Sequence, residues 1–119
     1  MTKELEKVLD KHLVDSLNMM GIPTIKLSMQ MKYGTGGWPD RLIIVPVYMT
    51  EAKLKPHYYF RELKREGEKP TPKQEIKLAI LEHIGADQGY LAGRAQIDEF
   101  LAWLKATYHT KGVDIEHRA

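Results

Sequence analysis

The sequence predicts an α/β protein with a mixed central sheet flanked by helices, its elements in the order α-β-β-β-α-β-α. Three observations predict it. Leu5, Val8, Leu9, Leu13, Leu17 and Met20 recur at helical spacing near the start of the chain. Three runs rich in strand-forming residues, "TIKLSMQMK", "RLIIVPV" and "HYYFRELK", then follow between Gly- and Pro-containing breaks. After them, two helical patterns bracket the short run "QGYLAG", so a strand-helix-strand crossover closes the chain.

Taken in order, the first helix spans 3–20 and stops at Gly21, with Pro23 beyond it. In "TIKLSMQMK", Ile25, Leu27, Met29 and Met31 alternate with polar residues, which predicts a strand with one buried face. "YGTGGWPD" is a glycine-rich turn, and "RLIIVPV" is a buried strand ending at a proline. "YMTEAKLKP" is a connection, "HYYFRELK" the third strand and "REGEKP" a turn. Thr71-Pro72-Lys73-Gln74 reads as a helix start, with Thr as cap, Pro in the first position and Gln three after the cap. That helix runs to Ile84 on a stripe of Ile76, Ile80, Leu81 and Ile84, and Gly85 ends it. "QGYLAG" is the fourth strand, and "AQIDEFLAWLKATYH" a helix burying Ile97, Phe100, Leu101 and Leu104. The meander is expected to be antiparallel and the crossover to add the last strand in parallel. The whole of 1–119 is one domain, with a polar tail from about 108.

Composition narrows the class. At 43% hydrophobic and 29% charged residues, the chain has the balance of an ordinary globular domain. No cysteine is present, which excludes disulfides and thiolate metal sites. The histidines show no ligand spacing. No apolar run approaches the roughly 18 residues of a membrane span, and "MTKELEKVLDK" lacks a signal core, so a cytoplasmic location is expected. The net charge is only +2, yet Lys53, Lys55, Arg61, Lys64, Arg65, Lys69, Lys73 and Lys77 crowd into one stretch. Such a run is most often a solvated face; it also suits a polyanion.

Three residues stand out chemically. Asp40 follows Pro39 at the start of an apolar strand, where aspartate is unusual. Glu62 and Lys64, two apart in the third strand, project to one face with Tyr58 and Phe60. Either that face opens to solvent at its end or two charges enter a pocket. If the second and third strands pair, Asp40 lies near Glu62. Two carboxylates suit a hard divalent cation such as Mg²⁺, and a neighbouring lysine suits developing negative charge on phosphate. Taken without further context, an exposed ion pair is the commoner meaning of such a pattern.

The extended pattern "GTGGWPDRLIIV" followed by "YYFRELKREGEKPTPKQ" resembles the VRR-NUC (virus-type replication-repair nuclease) family of the PD-(D/E)XK superfamily. The resemblance covers most of the chain, from the first helix to the glycine-rich strand after the second. It implies the restriction-endonuclease-like fold and a Mg²⁺- or Mn²⁺-dependent deoxyribonuclease leaving a 5′-phosphate and a 3′-hydroxyl. Asp40 and Glu62 match the metal-binding carboxylates, Leu63 the residue whose backbone carbonyl is a further ligand, and Lys64 the catalytic lysine. Gln74 matches the signature glutamine beside the site, and it equally fits a capping box with Thr71. For the family's first-helix glutamate, Glu4 and Glu6 compete, and the count back from Gly21 favours Glu6. Arg65, Lys69 and Lys73 are expected to contact phosphates; Arg41 either does so or pairs with a carboxylate inside the fold. One departure is Arg61 before Glu62, where the family more often has an apolar residue. Small stand-alone members look like Holliday-junction resolvases of bacterial or phage-infected cells. Cutting a four-way junction symmetrically needs two sites, hence a C₂ homodimer. Alternatives are a nuclease of the same fold acting on flap, nicked or linear duplex DNA, or a DNA-binding module without catalysis, against which the intact Asp40, Glu62 and Lys64 argue.

Overall fold

A computed structural model of the chain describes residues 3–27, 36–50 and 57–108. Helix α1 covers Glu6–Met20. It starts three residues later than the spacing predicts because Leu5 is extended and provides no side-chain cap. It ends where Gly21 turns left-handed (φ 80°) and returns its N–H to Asn18 and Leu17. Leu9, Leu13, Leu17 and Met20 are buried, as their spacing requires.

Four strands form one sheet in the order β1 (Thr24–Lys26), β2 (Arg41–Ile44), β3 (Tyr58–Lys64) and β4 (Asp87–Ala92). The first three pair antiparallel, and β4 joins β3 in parallel. Helix α2 (Pro72–His83) makes the crossover, and helix α3 (Arg94–Thr107) follows β4. A 3₁₀ turn at Val47–Met49 opens the β2–β3 connection.

Register sorts the side chains by face, since directly opposed residues share one. Ile43 opposes Tyr59, and Leu63 opposes Leu91. These four form the main core with Leu9, Leu13 and Leu17 of α1 and Ile97, Phe100, Leu101 and Leu104 of α3. Leu42, Phe60, Glu62 and Lys64 occupy the opposite face, where α2 packs.

Two expectations need correction. Among the described residues the first strand covers Thr24–Lys26, and Ile25, meant for its buried face, is 43% exposed. Ile25 opposes Leu42 on the α2 side, but β1 is the sheet edge farthest from β4, against which α2 lies. Met29 and Met31 fall outside the described residues, as do Gly34 and the tail from 109. The second correction concerns α2. Its buried residues are Lys77, Leu78 and Leu81, while Ile76, Ile80 and Ile84 are 59%, 43% and 70% exposed. Gln74 is tied to Glu62 in the sheet, and residues three, four and seven positions beyond it must then face inward. That rotation turns the isoleucines out.

Candidate active site

The carboxyl end of β3 brings the motif residues together. Glu62 and Lys64 are buried, at 3% and 9% exposure, so the charged end of the strand enters the protein. Asp40, just before β2, accepts a 2.8 Å hydrogen bond from the Leu63 N–H through Oδ2. This bond crosses from one strand to the next and places Asp40 beside Glu62. Lys64, two residues on, sends its charge toward both Glu62 and Glu6.

Gln74 does two jobs at once. Its Oε1 accepts from the Thr71 N–H (2.9 Å) and its own N–H reaches Thr71 Oγ1 (3.2 Å), which completes the capping box. Its Nε2 donates to Glu62 Oε2 at 2.8 Å. The amide thus has one end in the helix cap and the other on the carboxylate.

As a carboxylate, Glu62 leaves its second oxygen, Oε1, buried without a donor; protonated, it shares a hydrogen bond with Asp40. Burial first, and then the neighbouring Asp40, push the Glu62 carboxyl up to about 8, with Lys64 opposing. A buried carboxylate with a free oxygen and a like charge beside it calls for a cation. Among the described residues no three His, Cys, Asp or Glu side chains form a closed metal cage. The donor set instead suits a hard ion such as Mg²⁺, which takes only one or two carboxylates from a protein.

Glu6, the first residue of α1, lines a cleft of about 180 Å³ together with Asp40 and Leu63. Partial burial raises its carboxyl, and Asp40 adds to the rise while Lys64 opposes it. Glu4 points elsewhere: its carboxylate takes hydrogen bonds from Arg94 of α3 (2.8 Å to Nη2), which hold it below the ordinary range. Of the two first-helix glutamates, only Glu6 shares the cleft with Asp40.

The basic residues divide. Arg41 is committed within the fold: Nε and Nη2 donate to the two Asp10 oxygens at 2.8 and 2.7 Å. Of the two roles expected for it, this is the pairing with a carboxylate inside the fold. Arg65 is half-buried, donates through Nη2 to the Lys3 carbonyl, and leaves its Nε unpartnered. Lys69 and Lys73 are exposed. Lys73 lies against Gly36 and Gly37, both at positive φ; a Cβ on Gly37 would sit 2.9 Å from the Lys73 Cγ and carbonyl oxygen. Arg61, the departure from the family pattern, is stacked on the other face of the sheet. Its guanidinium lies 4.7 Å from the Phe100 ring centroid and 2.8 Å from Asp87.

Four contributors are absent from the motif. Asp10 neutralises Arg41 one helical turn beyond Glu6. Lys77 is buried with its ammonium 4.7 Å from the Trp38 ring centroid, and so holds the segment that leads into Asp40. Lys7 and Lys26 line the cleft with Glu6. The i, i+4 relation of Glu6 to Asp10 and the i, i+3 relation of Gln74 to Lys77 are the sequence signals that point to the first two.

Two solved structures share this architecture. One, named "VRR_NUC domain", superposes with a TM-score of 0.66 at 24% identity, over 82% of this chain and 94% of its own. Another, named "VRR_NUC domain protein", gives a TM-score of 0.59 at 19% identity, over 87% and 88% respectively. No family model and no curated protein sequence matches the chain. The fold is therefore that of VRR_NUC domains.

Proposed function

We propose that this protein is a VRR-NUC-type nuclease that hydrolyses DNA phosphodiesters with Mg²⁺ or Mn²⁺. The observation that carries the reading is the buried Glu62 carboxylate, with one oxygen gripped by Gln74, the other unclaimed, and Asp40 alongside. Asp40 and Glu62 are the residues that would hold the ion, with Leu63 and Glu6 lining the cleft beside Asp40. A bound divalent ion supplies Lewis acidity toward a phosphoryl oxygen and lowers the pKa of a water. Lys64 supplies positive charge where the phosphate gains negative charge. Gln74 keeps the Glu62 carboxylate in one orientation, and the Leu63 N–H does the same for Asp40.

The substrate we favour is a four-way junction cut by a C₂ homodimer. One site per chain and the small size of the domain support it, because paired nicks need a second copy. The exposed Ile76, Ile80 and Ile84 provide apolar surface for such a contact.

The test is incubation of the purified protein with labelled junction, flap and linear duplex, in Mg²⁺, Mn²⁺ or EDTA. Paired symmetric nicks on the junction, metal-dependent and lost in Lys64→Ala, are expected. Cleavage in EDTA, or by Lys64→Ala at the wild-type rate, would sink the reading. Preference for flap or linear duplex would move the substrate and leave the chemistry in place. Sedimentation of a protein that resolves junctions as a monomer would remove the dimer.

A further inference from the structure

Two lysines at the cleft mouth belong to no motif. Lys7 is the second residue of α1 and Lys26 the last residue of the edge strand β1. Together they line the 180 Å³ cleft that also contains Glu6, Asp10, Asp40 and Leu63. Both are exposed, and neither has an ion-pair or hydrogen-bond partner among the described residues. Of the three acids in the cleft, Asp10 is paired with Arg41 and Asp40 accepts from the Leu63 N–H. Lys26 opposes Arg41 in the sheet register, so it belongs to the α1 face.

The placement matters because carboxylates alone repel a phosphate. Glu6 and Asp40 put negative charge in the cleft, and two uncommitted ammonium groups at its mouth offset that for an approaching polyanion. The cleft is open to solvent, and its volume of about 180 Å³ is on the scale of a phosphate group with a few waters. On the other face of the sheet, Lys73 lies at the start of α2, with Lys69 just before that helix. The metal-binding carboxylates therefore sit between two basic arms from different elements.

We propose that Lys7 and Lys26 form a second phosphate-binding arm, gripping the DNA backbone on the α1 side of the site while Lys69 and Lys73 hold it on the α2 side. The proposal rests on the nuclease reading and adds to it the path of the DNA: across the end of the sheet, over both arms, rather than along α2 alone.

The experiment is fluorescence anisotropy of a labelled junction against full-length protein in the cleavage-impaired Lys64→Ala background, in Ca²⁺, over a salt series. Replacing Lys7 and Lys26 together by alanine is expected to weaken binding about tenfold or more near physiological salt. It should also lower the slope of log affinity against log salt by about 2, one contact for each lysine. Lys7→Arg with Lys26→Arg should restore both. Thermal melting should be unchanged, since both side chains are exposed. If the alanine pair keeps wild-type affinity and slope while Lys69→Ala with Lys73→Ala loses them, the second arm does not exist and the nuclease reading stands. If the wild-type protein neither binds nor cuts DNA with metal, the nuclease reading falls and the arm falls with it.

Discussion

The two faces of the central sheet each hold a charged residue of β3, Arg61 half-buried and Glu62 buried, and they treat it in opposite ways. On the α3 face, Arg61 is fully provided for, with Asp87 at 2.8 Å, the Phe60 carbonyl at 2.9 Å and the rings of Phe100 and Tyr59 beneath it. On the α2 face, the next residue, Glu62, keeps one oxygen without a partner and stands beside a second carboxylate. A satisfied buried charge reads as a structural element; an unsatisfied one costs stability in the free protein and fits the ion site proposed above. Adjacent positions of one strand thus separate architecture from chemistry.

The largest expected effect tests that contrast directly. Glu62→Gln and Lys64→Ala should each lower metal-dependent cleavage by about 10²–10⁴-fold, read as single-turnover rates. Arg61→Met should leave the rate per folded molecule within about twofold. A large loss of rate in the folded Arg61 variant would erase the distinction between the faces.

The next effect is on stability. Glu62→Gln should raise the metal-free stability by about 1–3 kcal/mol at pH 8, because it removes a buried charge with an orphaned oxygen. Arg61→Met should lower stability by about 1–2 kcal/mol through loss of its ring and carboxylate contacts. Denaturant melts of the two variants should therefore move in opposite directions.

The pH dependence follows from the same carboxyl. Burial and the neighbouring Asp40 push the Glu62 carboxyl up to about 8, from 4.5 for an ordinary glutamate. Between those values the folded protein retains a proton that the unfolded chain has released. Its contribution to stability is therefore present below the lower value and lost as pH rises through the upper one. The metal-free melting temperature should fall across this window, Mg²⁺ should offset the fall, and Glu62→Gln should flatten it. A rise in metal-free stability through the window, traced to Glu62, would reverse the assignment.

The smallest expected effect is at the edge of the site. Lys77→Met should weaken Mg²⁺ binding, measured by calorimetry, by about two- to fivefold, because Trp38 and the segment leading into Asp40 lose their cationic contact. Lys77→Arg should recover most of it.

Much of this site is legible in the sequence because its parts are local. Glu62 and Lys64 share a face by strand parity alone, and Thr71 to Gln74 announces a capped helix. The order of the strands, including the parallel addition of β4, follows from the crossover pattern. What is not legible depends on contacts far apart in the chain. The rotation of α2 is one case: isoleucine at 76, 80 and 84 suggests an inward stripe, but the bond from Gln74 to a strand twelve positions earlier decides the phase. Arg41 is another, since its partner Asp10 lies 31 positions away on a different element. The exposure of Ile25 depends on which end of the sheet α2 covers. In each case a tertiary contact overrides a local preference.

The double bond of Gln74 has a consequence for motion. Helix ends fray, and the first turn of α2 is held by the same amide that holds Glu62. In the proposed site, an ion on Glu62 and order in the first turn of α2 share the Gln74 amide, so saturating Mg²⁺ should slow amide hydrogen exchange at Gln74 and Glu75. In Gln74→Ala that protection should disappear even where the ion still binds.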